Sequence, residues 1–268
     1  MIKSFADKVV VITGAGSGIG RALAQACHRR GARLALNDYH QDTLAETVSL
    51  LEAAPEQVCT AAFDVANRAA MLDFAARVAN QFGRVNVVIN NAGRGLADTD
   101  LTNLNPEWFD RVMDTNFGGV LNGSRAFLPY LEQQPEAALV NVSSVWGLAG
   151  VRQAEAYVSS KFAVNGLTLS LMQAYRRSSL QVHCVYPGGI STNIGRNALG
   201  YDASSDLSDA LLKRSPHWAA EVIIKGVIRN KRRIRIGSEA YLVDYLARWM
   251  PVLGSTLINK YLDTKKND

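Results

Sequence analysis

Tyr157 and Lys161 stand four residues apart in a stretch of helical period, so their side chains share one face with Cβ atoms about 6 Å apart. A lysine ammonium held there favours phenolate over phenol, which draws a tyrosine pKa from about 10 toward neutrality and makes Tyr157 a usable general acid/base. Ser144 lies thirteen residues earlier, just past an apolar run, where its hydroxyl could hold a substrate oxygen through a transition state. Its neighbour Ser143 competes for that task, and the spacing favours Ser144. Together the three residue types can move a proton to or from a substrate oxygen. A Tyr-x-x-x-Lys pair alone is nearly always an exposed helix face, so its weight depends on what else the chain carries.

The chain also carries Thr13-Gly14-Ala15-Gly16-Ser17-Gly18-Ile19-Gly20 between a β-rich run and a helical stretch. Glycines there let the backbone turn sharply and approach a pyrophosphate, whose charge the helix N-terminus favours. The spacing of Gly14, Gly18 and Gly20 departs from G-x-G-x-x-G, and taken alone the loop reads equally well as a tight turn. Asp38 ends the second run about twenty residues on. An acid there accepts hydrogen bonds from adenosine ribose hydroxyls and repels a 2′-phosphate, which predicts NAD ahead of NADP. A strand-end Asp starting a turn fits the same position, and Arg21 with His40 leaves NADP open. Asn90-Asn91-Ala92-Gly93 suits a backbone packed against a cofactor, although a plain turn explains it too. The positive charge of an oxidised nicotinamide would add to that of Lys161 in favouring the Tyr157 phenolate.

The elements that must position these residues follow from hydrophobic period. Short apolar runs alternate with longer helical stretches, the pattern of a doubly wound parallel sheet with helices on both faces, an α/β fold. Strands are expected at 8–13, 33–37, 57–63, 86–90, 138–143, 181–186 and 233–236, and helices near 19–30, 41–53, 67–82, 106–132, 155–178 and 217–230. Residues 193–216 are polar and break the rhythm, which suggests a substrate lid. Residues 239–262 carry apolar side chains at near-helical spacing, broken by Pro251 and Gly254, and read as part of a helical extension over 238–268. The expected division is a catalytic domain at 1–237 followed by that extension.

Composition removes other classes. In 268 residues, 48% are apolar and 20% charged, which excludes a disordered tail, a collagen-like repeat or a disulfide-stapled miniprotein. Cys27, Cys59 and Cys184 are far apart and form no CxxC, so neither a disulfide framework nor a metal site is expected, and a reducing, cytoplasmic setting fits. No signal-peptide core and no apolar stretch long enough to span a bilayer is visible. Six cations crowd into 225–235; taking them from the net charge of +5 leaves the rest at −1, so the chain is not basic in the manner of a nucleic-acid binder.

The ordered set TGAGSGIG at 13–20, Asp64, NNAG at 90–93, Asn116, Ser144, YVSSK at 157–161 and PGGIST at 187–192 resembles the short-chain dehydrogenase/reductase family over roughly residues 8–192. The resemblance implies a Rossmann-like fold and a catalytic tetrad of Asn116, Ser144, Tyr157 and Lys161. In that reading Tyr157 exchanges a proton with a carbinol or carbonyl oxygen, Ser144 orients that oxygen, Lys161 binds the nicotinamide ribose, and Asn116 holds a relay water. Asn116 is otherwise an odd residue inside a helical stretch, because Asn competes for backbone bonds. The dinucleotide contacts so implied are Gly14, Ser17, Gly18, Ile19, Gly20, Asp38, Asp64, Val65, Asn91, Ala92, Gly93, Tyr157, Lys161, Pro187, Gly188 and Thr192. Simple turns explain Asp64 and Pro187 equally well in isolation.

The expected function is NAD(P)-dependent hydride transfer between a secondary alcohol and a ketone or aldehyde. Ser144, Trp146, Gln153 and Tyr157 are the candidate substrate contacts. Trp146, Leu148 and Val151 suggest an apolar wall and a lipophilic small molecule, whereas Arg94 could anchor an anion and Trp146 could be ordinary core. A dinucleotide-sensing protein with little turnover is the alternative. A scaffold or nucleic-acid binder has only the cationic run in its favour. The family resemblance further implies a homodimer or homotetramer. Packing of the C-terminal helix on the protein or a partner subunit is expected ahead of interfacial membrane contact through Tyr241, Arg248, Trp249 and Tyr261.

Overall fold

The computed structural model describes residues 1–97, 99–192, 194–195, 198–200 and 214–267, with side chains to residue 264. Seven strands form one parallel sheet: β1 (Val9–Thr13), β2 (Arg33–Asp38), β3 (Val58–Ala62), β4 (Val87–Asn90), β5 (Ala137–Val142), β6 (Leu180–Pro187) and β7 (Arg233–Ile236). Their spatial order is β3-β2-β1-β4-β5-β6-β7, every neighbouring pair parallel. Among the described residues the helices are α1 (Gly18–His28), α2 (Gln41–Ser49), α3 (Arg68–Phe82), α4 (Pro106–Met113), α5 (Gly119–Leu131), α6 (Glu155–Ala174), α7 (Pro216–Ile228), α8 (Ser238–Trp249) and α9 (Pro251–Asn267). The fold is the expected Rossmann-like arrangement with C-terminal helices.

Alternation along each strand divides the core. Val10 and Ile12 of β1 face one layer with Leu34, Leu36, Leu23 of α1 and Ile223 of α7. Val9 and Val11 face the other, with Phe74 of α3, Phe127 of α5 and Leu139. Successive side chains of a strand point to opposite faces, so a strand covered on both sides reads as a near-continuous apolar run; β1 and β5 are buried at every position, and their polar residues Thr13 and Asn141 are hydrogen-bonded. Local sequence sets several helix ends. The Asn67 side chain accepts from the Ala70 N–H to start α3, and Gly83 ends it at φ +71°, where a side chain would be strained. Ser215 caps α7 just before Pro216.

Two expected elements are altered. The single helix expected over 106–132 is interrupted at Asp114–Gly118 by one π-helical turn between α4 and α5. The C-terminal helix breaks at Met250 and Pro251 but not at Gly254, which lies inside α9. A methyl at Gly254 would come within 2.9 Å of the Leu246 carbonyl oxygen, so the glycine serves close packing of α9 on α8.

His183 on β6 is fully buried; burial holds its pKa down at about 4, with Nδ1 2.9 Å from the Lys231 carbonyl oxygen. A histidine kept neutral in the fold binds its proton more readily when unfolded, so the stability it lends above about pH 6.5 is lost as pH falls toward 4. Urea titrations across that window should show a loss of about 3 kcal/mol in the wild type that His183→Leu does not share. Equal acid limbs in the two proteins would refute this.

Candidate active site

The sheet order reverses between β1 and β4, and open α/β sheets place ligands at the strand C-termini beside such a reversal. The expected residues gather there. Gly14 leaves β1 at φ +65°, and a methyl on it would lie 2.8 Å from Ala92 Cα. Gly20 sits against the Gly14 carbonyl. Ser17 stands at the N-cap of α1 without a side-chain cap bond, and no acid occupies the first turn, so the exposed N–H groups suit an anion. Ile19 packs on the core beneath.

Asp38 ends β2 beside this loop; its Oδ2 accepts from Gly16 N–H at 2.8 Å and its Oδ1 from His40 N–H at 3.0 Å. Asp64 and Val65 follow the neighbouring strand β3. Asp64 Oδ1 accepts from Ala66 N–H at 3.0 Å, and Val65 is buried against Gly119. Arg21 braces the glycine loop: its Nε donates to the Gly16 carbonyl and to Thr47, each at 3.0 Å, and its guanidinium pairs with Glu46 through both terminal nitrogens at 2.8 and 2.6 Å.

Asn91 ties β1 to β4. Its Nδ2 donates to the carbonyls of Thr13 and Gly14 at 3.0 and 3.2 Å, while Thr13 Oγ1 accepts from the Asn91 and Ala92 N–H groups. Gly93 lies between the side chains of Lys161 and Asn116, since a methyl there would be 3.2 Å from Lys161 Nζ and 3.4 Å from Asn116 Oδ1. On the far side, Gly188 N–H donates to Ile236 at 3.0 Å just beyond Pro187. Thr192 crosses back to stand over Gly18.

The π turn accounts for Asn116. Its Oδ1 accepts from Arg94 N–H at 2.7 Å, and its Nδ2 donates to the Arg94 carbonyl at 3.1 Å and to Ser160 Oγ at 2.9 Å. Ser160 in turn donates to the Tyr157 carbonyl at 2.7 Å, so the amide is locked onto the first turn of α6. Satisfaction by two elements makes the residue structural to the cleft rather than a surface amide.

Geometry separates Ser143 from Ser144. Ser143 Oγ donates to the Lys161 carbonyl at 2.8 Å and is spent on α6. Ser144 Oγ accepts from Trp146 N–H at 3.2 Å and stands beside the Tyr157 phenol. Lys161 is buried, with Nζ donating to the Val142 carbonyl at 3.2 Å and lying 5.6 Å from the Tyr157 ring centroid.

Burial pushes the Tyr157 phenol up from its ordinary value, and the Ser144 hydroxyl pulls it partly back. Burial also brings Lys161 down to about 8, opposed by neighbouring Cys184. The protein's own groups therefore raise the tyrosine, against the expected lowering, because desolvation outweighs the Ser144 hydrogen bond.

The candidate substrate contacts diverge. Trp146 packs with Val145, Ala149, Ala240, Val243 and Ile258, joining the segment after Ser144 to α8 and α9. Gln153 sits at φ +59° in the turn before α6, its carbonyl accepting from Thr99 N–H. The expected lid at 193–216 lies mostly outside the described residues. Its roots are visible: Leu199 bridges Leu96, and Arg214 bridges Ile190.

Three supporting side chains carry no signal of their own in the sequence. Thr13 and Ser160 are two; Glu239 is the third, accepting from Arg214 at 2.6 and 2.8 Å and from Gly189 N–H at 3.1 Å, so it clamps Arg214 to the loop after β6. Only the small residues it faces, Gly188 and Gly237, hint at it.

The family model described as short chain dehydrogenase matches residues 8–200. SadH of Mycobacterium tuberculosis, named as a candidate oxidoreductase, is 42% identical over 258 residues, covering 93% of this chain and 93% of its own. Levodione reductase of Leifsonia aquatica is 33% identical over 197 residues, 73% of this chain and 74% of its own. A crystal structure of a short-chain dehydrogenase/reductase from Burkholderia phymatum in complex with NAD aligns with a TM-score of 0.84 at 28% identity, covering 94% of this chain and 96% of that one.

Proposed function

Because the chain belongs to the short-chain dehydrogenase/reductase family and is an NAD(P)-dependent oxidoreductase, we propose that it interconverts a secondary alcohol and a ketone or aldehyde, with Tyr157 as general acid/base. The observation that carries this is the meeting of Ser144, Tyr157 and Lys161 at one strand-end cleft, with Ser143 diverted to hold α6. The glycine cradle, the uncapped start of α1 and Asp38 fit a dinucleotide, which when bound supplies the hydride donor or acceptor.

Each side chain then has one task. Tyr157 gives its phenolic proton to a carbonyl oxygen or takes it from a carbinol. Ser144 donates to that oxygen and keeps it within reach of the phenol. Lys161, held at about 8, is mostly an ammonium at neutral pH; it would donate to the ribose hydroxyls of a bound dinucleotide and favours the phenolate. Asn116 fixes the turn of α6 that carries both; with its amide hydrogens committed to Arg94 and Ser160, the relay water of the family pattern would have to donate to one of its oxygens. Residues 1–237 form the catalytic domain in this reading and 238–268 an extension.

NAD is the preferred cofactor in this proposal. Asp38 would meet the ribose hydroxyls, and Arg21, one of the two residues that could answer a 2′-phosphate, is engaged by Glu46 and the Gly16 carbonyl; His40 is the other. Asp38→Ala is expected to weaken NAD(H) binding about tenfold and to narrow or reverse the preference over NADP(H). Fluorescence titration of both cofactors checks this, and an unchanged ratio would sink the assignment.

The substrate is a lipophilic alcohol or ketone. Leu96, Leu199, Trp108 and Phe109 cluster with buried Leu104, Val112 and Ala156 on the side where the lid is rooted, which supports an apolar rim. Nicotinamide absorbance in a panel of secondary alcohols and ketones tests the whole reading. Turnover confined to short, charged compounds would overturn the lipophilic assignment, and tight cofactor binding without turnover on any member would overturn the reaction.

A further inference from the structure

Helices α8 and α9 bury one side and leave the other open. Met250 alone links them, and Gly254 of α9 meets Leu246 of α8. Ala240, Val243 and Ile258 turn inward onto Val145 and Ala149. The opposite side of α8 presents Tyr241, Leu242, Tyr245 and Trp249, of which Trp249 is 73% exposed. That of α9 presents Val252, Leu253, Leu257 and Tyr261, with Val252 80% exposed. Continuous exposed apolar faces of this kind mark interaction sites.

The charges beside this face identify what it meets. All three carboxylates of residues 238–264 are already engaged. Glu239 is bonded to Arg214, Asp263 to Arg152, and Asp244 is buried beneath the face with Arg233, Arg235 and Arg248 around it. Three guanidiniums on one carboxylate leave positive charge there, and exposed Lys260 adds more. Arg235 also stacks on the Tyr241 ring at 4.4 Å. The face is therefore apolar, rich in Tyr and Trp, cationic and without a free carboxylate.

We propose that the open face of α8 and α9 docks on an anionic lipid bilayer, lying in its headgroup region. A second copy is the poorer occupant, because a two-fold pairing sets the same patch against itself and would bring cation against cation with no counter-charge. Anionic headgroups supply that charge, amphipathic Tyr and Trp rings suit the boundary between water and acyl chains, and Leu and Val side chains enter below it. No helix among the described residues is long and apolar enough to cross a membrane, so the contact is interfacial. The inference does not depend on the reaction proposed above.

Flotation of the full chain with vesicles is the test. Vesicles of phosphatidylcholine with about one third phosphatidylglycerol should carry the protein upward in low salt and blue-shift its tryptophan emission, whereas pure phosphatidylcholine should not. Trp249→Glu with Leu253→Glu should lower the bound fraction about tenfold, and Lys260→Glu about fivefold, with unchanged circular dichroism. Failure to float with either vesicle, or flotation unaffected by these substitutions, would overturn the proposal. So would a wild-type oligomer that the double variant dissociates, since the face would then be a subunit interface.

Discussion

Tyr157→Phe is expected to lower kcat by three to four orders of magnitude, about the upper range for loss of a positioned acid/base, while changing NAD(H) affinity by less than about fivefold. The asymmetry follows from the geometry. Phenylalanine keeps the ring, the Ser160 bond to the backbone carbonyl and the packing over Lys161, and removes only the oxygen to which the proposal gives the proton step. Cofactor binding by fluorescence and turnover by nicotinamide absorbance separate the two effects. Turnover within tenfold of the wild type would remove Tyr157 from the proton step. A matching fall in cofactor affinity would mean that the phenol holds the dinucleotide instead.

Lys161→Met should give the opposite signs in activity and stability. Turnover should fall by about two to three orders of magnitude, because the group that favours phenolate is lost. The cofactor-free protein, however, should become more stable at neutral pH by up to about 3 kcal/mol. The buried ammonium is held at about 8 against an ordinary 10.5, so below pH 8 it imposes its full desolvation cost on the fold. The unfolded chain keeps its proton up to about pH 10.5, so this cost fades as pH rises from 8 to 10.5 and the stability gap should close over that window. Urea unfolding at pH 7 and pH 10 measures both ends. A variant less stable than wild type at pH 7 would show that the bond to Val142 outweighs the buried charge.

Much of this arrangement is legible in the amino-acid sequence. Strands buried on both faces are mostly apolar, so β1, β4 and β5 stand out as apolar runs interrupted only by Thr13, Asn90 and Asn141, and their ends fall where the chemistry-bearing residues lie. The glycine loop and the Tyr157–Lys161 spacing were readable for the same local reason. Features set by tertiary contact were not. A one-residue insertion leaves hydrophobic period almost unchanged, so the π turn showed itself only as an ill-fitting Asn116. Pro251 and Gly254 look alike as helix breakers, yet one opens α9 and the other lies against Leu246. Whether Trp146 meets a ligand or the C-terminal helices depends on what folds back over it. The upward shift of Tyr157 is a matter of burial, which charge spacing alone does not report.

The pairing of Ile190 with Arg214, fastened by Glu239 through Gly189, brings both ends of the intervening segment to one point on the scaffold. One carboxylate on α8 thus fastens Arg214 to the loop after β6, far from it in sequence. The C-terminal helices and that loop are therefore one mechanical unit, and a strain applied to α8 is delivered at the strand-end cleft.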